Sequence, residues 1–219
     1  MKKAFIVIEA ILYVAFVLLE LKYGFNRLVL SLHFISILGT IIYVLSRSKK
    51  EYDQWDLFVV KCIYLVLLPT DFICEFTTLL LAGVIGYLII NLLYAYRMRK
   101  TLKHFSFIPF VGAIIIAMAA KKGLELNAVV CIGIIYYICF VTNAISVWLC
   151  SKNRLFQIGL TLFFLSDVHV FLQKINGMIK LTGDLLYYVN HYVDLMIWVF
   201  FVPAQVVIAL SIQRKHQKS

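Results

Sequence analysis

Long apolar runs follow one another almost from end to end of this chain. A transmembrane helix needs roughly 20 mostly apolar residues to cross a hydrocarbon core about 30 Å thick. Eight runs meet or approach that length, at residues 4–22, 27–46, 55–74, 76–96, 105–120, 125–150, 155–173 and 188–212. The fifth is the shortest. Pro69, Thr70 and Glu75 are expected to break the third run from the fourth. The composition agrees: 63% of residues are hydrophobic and 15% charged, with a mean hydropathy of +0.94. A soluble domain is nearer to about 45–50% apolar and 25% charged. The sequence therefore predicts an all-α, polytopic transmembrane helical bundle of about eight spans. Residues 1–212 read as a single transmembrane domain and 213–219 as a short basic cytoplasmic tail. The first run holds Glu9 and Glu20, and no small-residue cleavage site follows it. It reads as a span and not as a cleaved signal peptide.

Loop charges orient such a bundle. With eight spans both termini share one side. That side carries Lys2, Lys3, Arg47, Lys49, Lys50, Arg97, Arg99, Lys100, Lys103, Lys152, Arg154, Arg214, Lys215 and Lys218. The other carries Lys22, Arg27, Lys121, Lys122, Lys174 and Lys180. The excess puts both termini in the cytoplasm. The formal charge of +10 is then a topology signal and an attraction to anionic membrane lipid. Basic residues split among short loops argue against nucleic-acid binding. Cys62, Cys74, Cys131, Cys139 and Cys150 have no metal-site spacing and read as packing residues.

Two aspartates, Asp71 and Asp167, fall deep inside these runs. A carboxylate in hydrocarbon costs several kcal/mol unless paired, hydrated or protonated. Asp71 lies 16 residues past Trp55, about 24 Å at ~1.5 Å per residue. Asp167 lies 13 residues past Arg154, about 20 Å along its helix. Asp194 enters from the opposite side and reaches a similar depth if the last span starts near Tyr188. Phe163, Phe164, Val170 and Phe171 surround Asp167 at one turn; Leu67, Leu68, Cys74 and Glu75 do so for Asp71. Apolar neighbours favour the neutral acid. Two such groups close together would share a proton, one as acid and one as carboxylate. The alternative is that they only hydrogen-bond the bundle together.

Other intramembrane polar groups read differently. Pro69 frees the carbonyl of Leu65 and is expected to kink the third span before Asp71; Pro203 stands in the same relation to Gln205. Lys61 is ten residues below Asp71, too far to be its counter-ion, and a Glu9–Lys61 salt bridge is expected. His33, Thr142 and Asn143 read as hydrogen-bonding groups of the bundle. His169 is about 200° around the helix from Asp167 and faces away. Gly183-Asp184-Leu185-Leu186, after Asn176-Gly177, reads as turn chemistry.

The segment Ile158-Gly159-Leu160-Thr161-Leu162-Phe163-Phe164-Leu165-Ser166-Asp167 resembles the glycine, phenylalanine and Ser-Asp signature of the YhhN family, the lysoplasmalogenase-like integral membrane proteins. Asp71, followed by Gly83-Val84-Ile85-Gly86-Tyr87 and Asn91-Leu92-Leu93-Tyr94, looks like that family's first aspartate and the helix after it. Phe200-Phe201-Val202-Pro203-Ala204-Gln205 is similar to its closing aromatic and Ala-Gln segment. The resemblance covers roughly residues 26–212. Thr70 stands where the family usually has glycine, and Asn91 where it often has histidine.

The resemblance implies a membrane-embedded hydrolase of the vinyl ether bond of lysoplasmalogens, in the bacterial plasma membrane. The products are a fatty aldehyde and a glycerophospho-head group. Asp71 and Asp167 are its implied catalytic residues, with Thr70, Asn91, Tyr94, Ser166, Asp194 and Gln205 as binding or supporting groups. The implied partner is a lysophospholipid substrate, and no metal or organic cofactor is called for. Vinyl ether cleavage passes through an oxocarbenium ion, as glycoside cleavage does. A neutral aspartic acid can protonate the β-carbon, and a carboxylate can stabilise the cation and guide water. A proton-coupled transporter or lipid-binding membrane protein would use the same carboxylates, but the chain shows no inverted repeat. An intramembrane aspartyl protease is disfavoured, because Pro-Thr-Asp and Leu-Ser-Asp are not its Gly-x-Gly-Asp motif.

Overall fold

The computed structural model describes residues 2–24, 26–98, 108–121, 127–176 and 182–214. Arg99, Lys100, Lys103, Lys122, Gly177, Lys180, Lys215 and Lys218, used above in the charge and turn readings, lie outside the described residues, as does most of the basic tail. The described chain is all-helical. Its helices are α1 (Lys2–Tyr23), α2 (Arg27–Leu45), α3 (Gln54–Phe76), α4 (Leu80–Met98), α5 (Ile108–Lys121), α6 (Ala128–Cys150), α7 (Arg154–Asn176), α8 (Gly183–His191) and α9 (Val193–Leu210). Seven of them, all but α5 and α8, are long and apolar enough to cross a membrane. The described α5 has 14 residues, about 21 Å of helix.

Side chains cap the starts of α2, α3 and α6. Asn26 Oδ1 accepts from the amides of Leu28 and Val29, Asp53 Oδ1 from Asp56 N, and Asn127 Oδ1 from Val130 N. Each satisfies a donor that the first turn leaves unpaired. Gly24, at φ 69°, ends α1 in the left-handed conformation that glycine adopts without a Cβ penalty. Val7, Ile8, Ile11, Val14, Leu18 and Leu21 of α1 are exposed. A water-soluble helix would turn that face inward, whereas a membrane helix gives it to lipid.

Two expected boundaries are corrected. Pro69 and Thr70 do not break the third span from the fourth, because α3 runs through both to Phe76. Thr70 Oγ1 donates to the Val66 carbonyl, and the break comes at Thr77. There the Thr77 amide and hydroxyl both bond to Ile73 O, and Leu79 N donates to Thr77 Oγ1. The segment Gly183–Leu186 is also more than a turn. Gly183, at φ 63°, turns the chain into α8, and a second break at Tyr192 separates α8 from α9. The last apolar run is thus a short helix followed by a spanning one.

The chain divides into two compact units. Unit 1 comprises Met1–Ser46 and Leu155–Ser211; unit 2 comprises Arg47–Arg154 and Ile212–Ser219. In unit 1, α9 packs on α1 and α2. Gly159 of α7 lets that helix close on α9, since a Cβ there would lie 2.6 Å from Ile208 Cγ1 and 3.3 Å from the Ala204 carbonyl. In unit 2, α4 packs against α3 and α6. Gly86 and Gly83 of α4 make room for the side chains of Thr70 and Cys74 on α3.

Candidate functional site

Unit 2 holds Asp71 in a polar seam between α3, α4 and α6. Its side chain is buried, at 1% exposure. Tyr87, one helix away, donates its hydroxyl to Asp71 Oδ1 at 2.5 Å. Oδ2 is buried and has no hydrogen-bond partner among the described residues. The seam continues along α4. Asn91, one turn past Tyr87, donates to the Tyr87 carbonyl at 3.2 Å. Asn143 of α6 donates to both the backbone and side-chain oxygens of Asn91, at 2.8 and 3.0 Å. Tyr94, a further turn along, is fully buried. Of the residues singled out in the sequence, Asp71, Thr70, Asn91 and Tyr94 therefore share this unit. Asn91 bridges α4 to α6, while Thr70 spends its hydroxyl on its own helix.

Unit 1 holds Asp167, Ser166, Asp194 and Gln205. Asp167 is 7% exposed on α7. Its neighbour Ser166 donates to the Ile197 carbonyl of α9 at 2.9 Å and ties the two helices together. Gln205 is buried on α9. Asp194 sits differently from the expected depth: α9 begins only at Val193, so Asp194 lies in its first turn, exposed, and accepts from Gln173 Nε2 at 2.5 Å. His169 points its Nδ1 at the Leu165 carbonyl, 2.6 Å away, and so donates there. That leaves Nε2 to accept from the Tyr188 hydroxyl at 2.8 Å.

Three features escaped the sequence reading. Tyr87 appeared there only as part of a motif, and nothing in one sequence says that a tyrosine 16 residues on will reach Asp71. Arg97, counted above as a loop charge, is 9% exposed and paired with Asp56 through Nε at 2.6 Å and Nη2 at 2.9 Å. Asp56 Oδ2 also accepts from Gln213 N, and Asp53 N donates to the Gln213 carbonyl. The segment after α9 is thereby held against the start of α3. Glu9 and Lys61 each find a partner within their own unit. Ser36 Oγ donates to Glu9 Oε2, and Lys61 Nζ donates to the Arg47 carbonyl at 3.2 Å.

Among the described residues no three histidine, cysteine or carboxylate side chains cluster as metal ligands would. The chemistry on offer is that of buried acids, hydroxyls and amides. Comparison of the chain with protein-family models, with curated proteins and with solved structures finds no match.

Proposed function

We propose that this protein is a multi-pass membrane hydrolase that cleaves the vinyl ether bond of lysoplasmalogens. The observation that carries the reading is Asp71: a buried carboxyl with one oxygen held by Tyr87 and the other without a partner among the described residues. A carboxyl held in that way is oriented through Oδ1 and keeps Oδ2 for a reacting atom. Asp71 Oδ2 donates its proton to the vinyl β-carbon, and the α-carbon and ether oxygen become an oxocarbenium ion. Water adds to that carbon and returns a proton to the carboxylate. The hemiacetal collapses to a fatty aldehyde and the free glycerol hydroxyl of the head-group product. The second carboxyl that this chemistry calls for is assigned to Asp167 by the resemblance to the YhhN family.

The same reading includes eight spans with both termini in the cytoplasm, in a bacterial plasma membrane. Apolar helices hold the alkenyl chain and leave the head group at the interface. The function is tested with purified protein and two substrates, a lysoplasmalogen and the 1-acyl lysophospholipid with the same head group. Aldehyde release from the first alone supports the proposal. No release from either overturns it.

A further inference from the structure

Unit 1 also carries buried ionisable groups on α1 and α2. On α2, His33, Ser36, Thr40 and Tyr43 recur at three- and four-residue steps, so they line one face of the helix. All four are buried. Ten residue steps separate His33 from Tyr43, about 15 Å. Two acids of α1, Glu9 and Glu20, are also buried, at 3% and 7% exposure. Glu20 Oε2 lies 4.0 Å from His33 Nε2 and has no hydrogen-bond partner among the described residues. His33 is fixed between rings, stacked on Trp198 at 4.1 Å and edge-on to Phe16 at 4.5 Å. One turn further along α2, Ser36 donates to Glu9 Oε2. Glu9 Oε1 is buried beside Gly39, where a Cβ would come within 2.8 Å of it. The Thr40 hydroxyl lines the same carboxyl.

Packing alone does not account for this pattern. Each buried acid costs several kcal/mol if ionised and unpaired, and apolar residues would pack the seam without that cost. No lysine or arginine is paired with Glu9 or Glu20 among the described residues. The charged group acting on Glu20 from α9 is Asp194, another acid. Glu9 Oε1 and Glu20 Oε2 are closed to solvent, whereas a hydrated cation needs room for its water. A proton is the cation that needs none.

We propose that Glu20, His33, Ser36 and Glu9 form a proton path along the seam between α1 and α2, an activity separate from hydrolysis. Protons enter at the Glu20 end of the seam. Glu20 in its acid form gives its Oε2 proton to His33 Nε2, a small side-chain rotation closing the 4.0 Å gap. The imidazolium gives a proton to Ser36 Oγ, one turn along α2, after a second side-chain rotation brings the two groups together, as the Ser36 hydroxyl proton passes to Glu9 Oε2. One proton enters for each that moves on, and no electron is transferred. Thr40 and Tyr43 continue the line of hydroxyls towards the other end of α2.

The test is proton influx into phosphatidylcholine–phosphatidylglycerol vesicles loaded with a pH-sensitive dye and driven by a valinomycin–potassium potential. Vesicles with the full chain should acidify about tenfold faster than protein-free vesicles, and Glu9→Gln and Glu20→Gln should each remove most of that excess, the usual scale for losing a proton-transfer group being at least ~10²-fold. Glu9→Asp, which keeps an acid, should retain the influx. Glu9→Gln should also release aldehyde like the unmodified protein, which separates this path from the hydrolase. Influx no faster than in protein-free vesicles, or a Glu9→Gln protein that conducts normally, overturns the proposal.

Discussion

The Tyr87 hydroxyl reaches across from α4 to α3 and donates to Asp71 Oδ1 at 2.5 Å. This one contact holds a buried acid through Oδ1 and leaves Oδ2 without a hydrogen-bond partner among the described residues. Tyr87→Phe removes the donor and keeps the ring. A hydrogen bond to a carboxyl of this kind is worth about 1.5–3 kcal/mol, or roughly 10- to 100-fold. The variant should lose that much in kcat with little change in KM. An unchanged kcat would mean that Tyr87 only packs the seam.

Gly86 faces Thr70 so closely that an added methyl would collide with Thr70 Oγ1, Cγ2 and Cβ. Gly86→Ala should therefore destabilise unit 2 by about 1–3 kcal/mol, the usual cost of overpacking. Adding Thr70→Ala should restore most of the loss, because it removes Oγ1 and Cγ2, the two closest obstructing atoms. Thermal unfolding of the single and double variants in detergent checks this. Additive losses would show that the two side chains are not coupled.

The Asp56–Arg97 pair is buried and forked, and Asp56 also holds Gln213 N. Breaking a buried pair from one side costs about 3–5 kcal/mol, because it strands the other charge. Asp56→Ala should lower the unfolding midpoint markedly, and Asp56→Ala with Arg97→Ala should cost less than the sum of the singles. Amide exchange at Gln213 should accelerate in Asp56→Ala. Unchanged exchange there would contradict the role of Asp56 in holding the segment after α9.

Topology is checked with reporter fusions. Activity reporters fused after Ser219 and after Lys122 should give opposite signals if eight spans separate cytoplasmic termini. Matching signals would contradict the eight-span reading.

Much of the helical layout was legible because a bilayer demands length and apolarity, which a sequence displays directly. The runs at 27–46, 125–150 and 155–173 correspond to α2 (Arg27–Leu45), α6 (Ala128–Cys150) and α7 (Arg154–Asn176). Breaks were less legible. A proline inside a membrane helix is tolerated when the helix around it is otherwise satisfied, so α3 passes Pro69 and stops where Thr77 caps the Ile73 carbonyl. The short helix α8 was masked by glycine and aspartate at its start. Buried acids such as Asp71 were conspicuous against an apolar background. Their partners were not, because Tyr87, Ser36 and Arg97 come from other helices at separations that helical periodicity does not encode.

The central claim is that Asp71 and Asp167 are both required to cleave a vinyl ether. The direct measurement is fatty aldehyde release from lysoplasmalogen by the unmodified protein, Asp71→Asn and Asp167→Asn, each shown by gel filtration to be folded. An amide keeps the shape of the carboxyl but can neither deliver its proton nor carry its charge. The account predicts turnover by the unmodified protein and a loss of at least ~10²-fold in each variant. Near-normal turnover by either variant, or none by the unmodified protein, would contradict it.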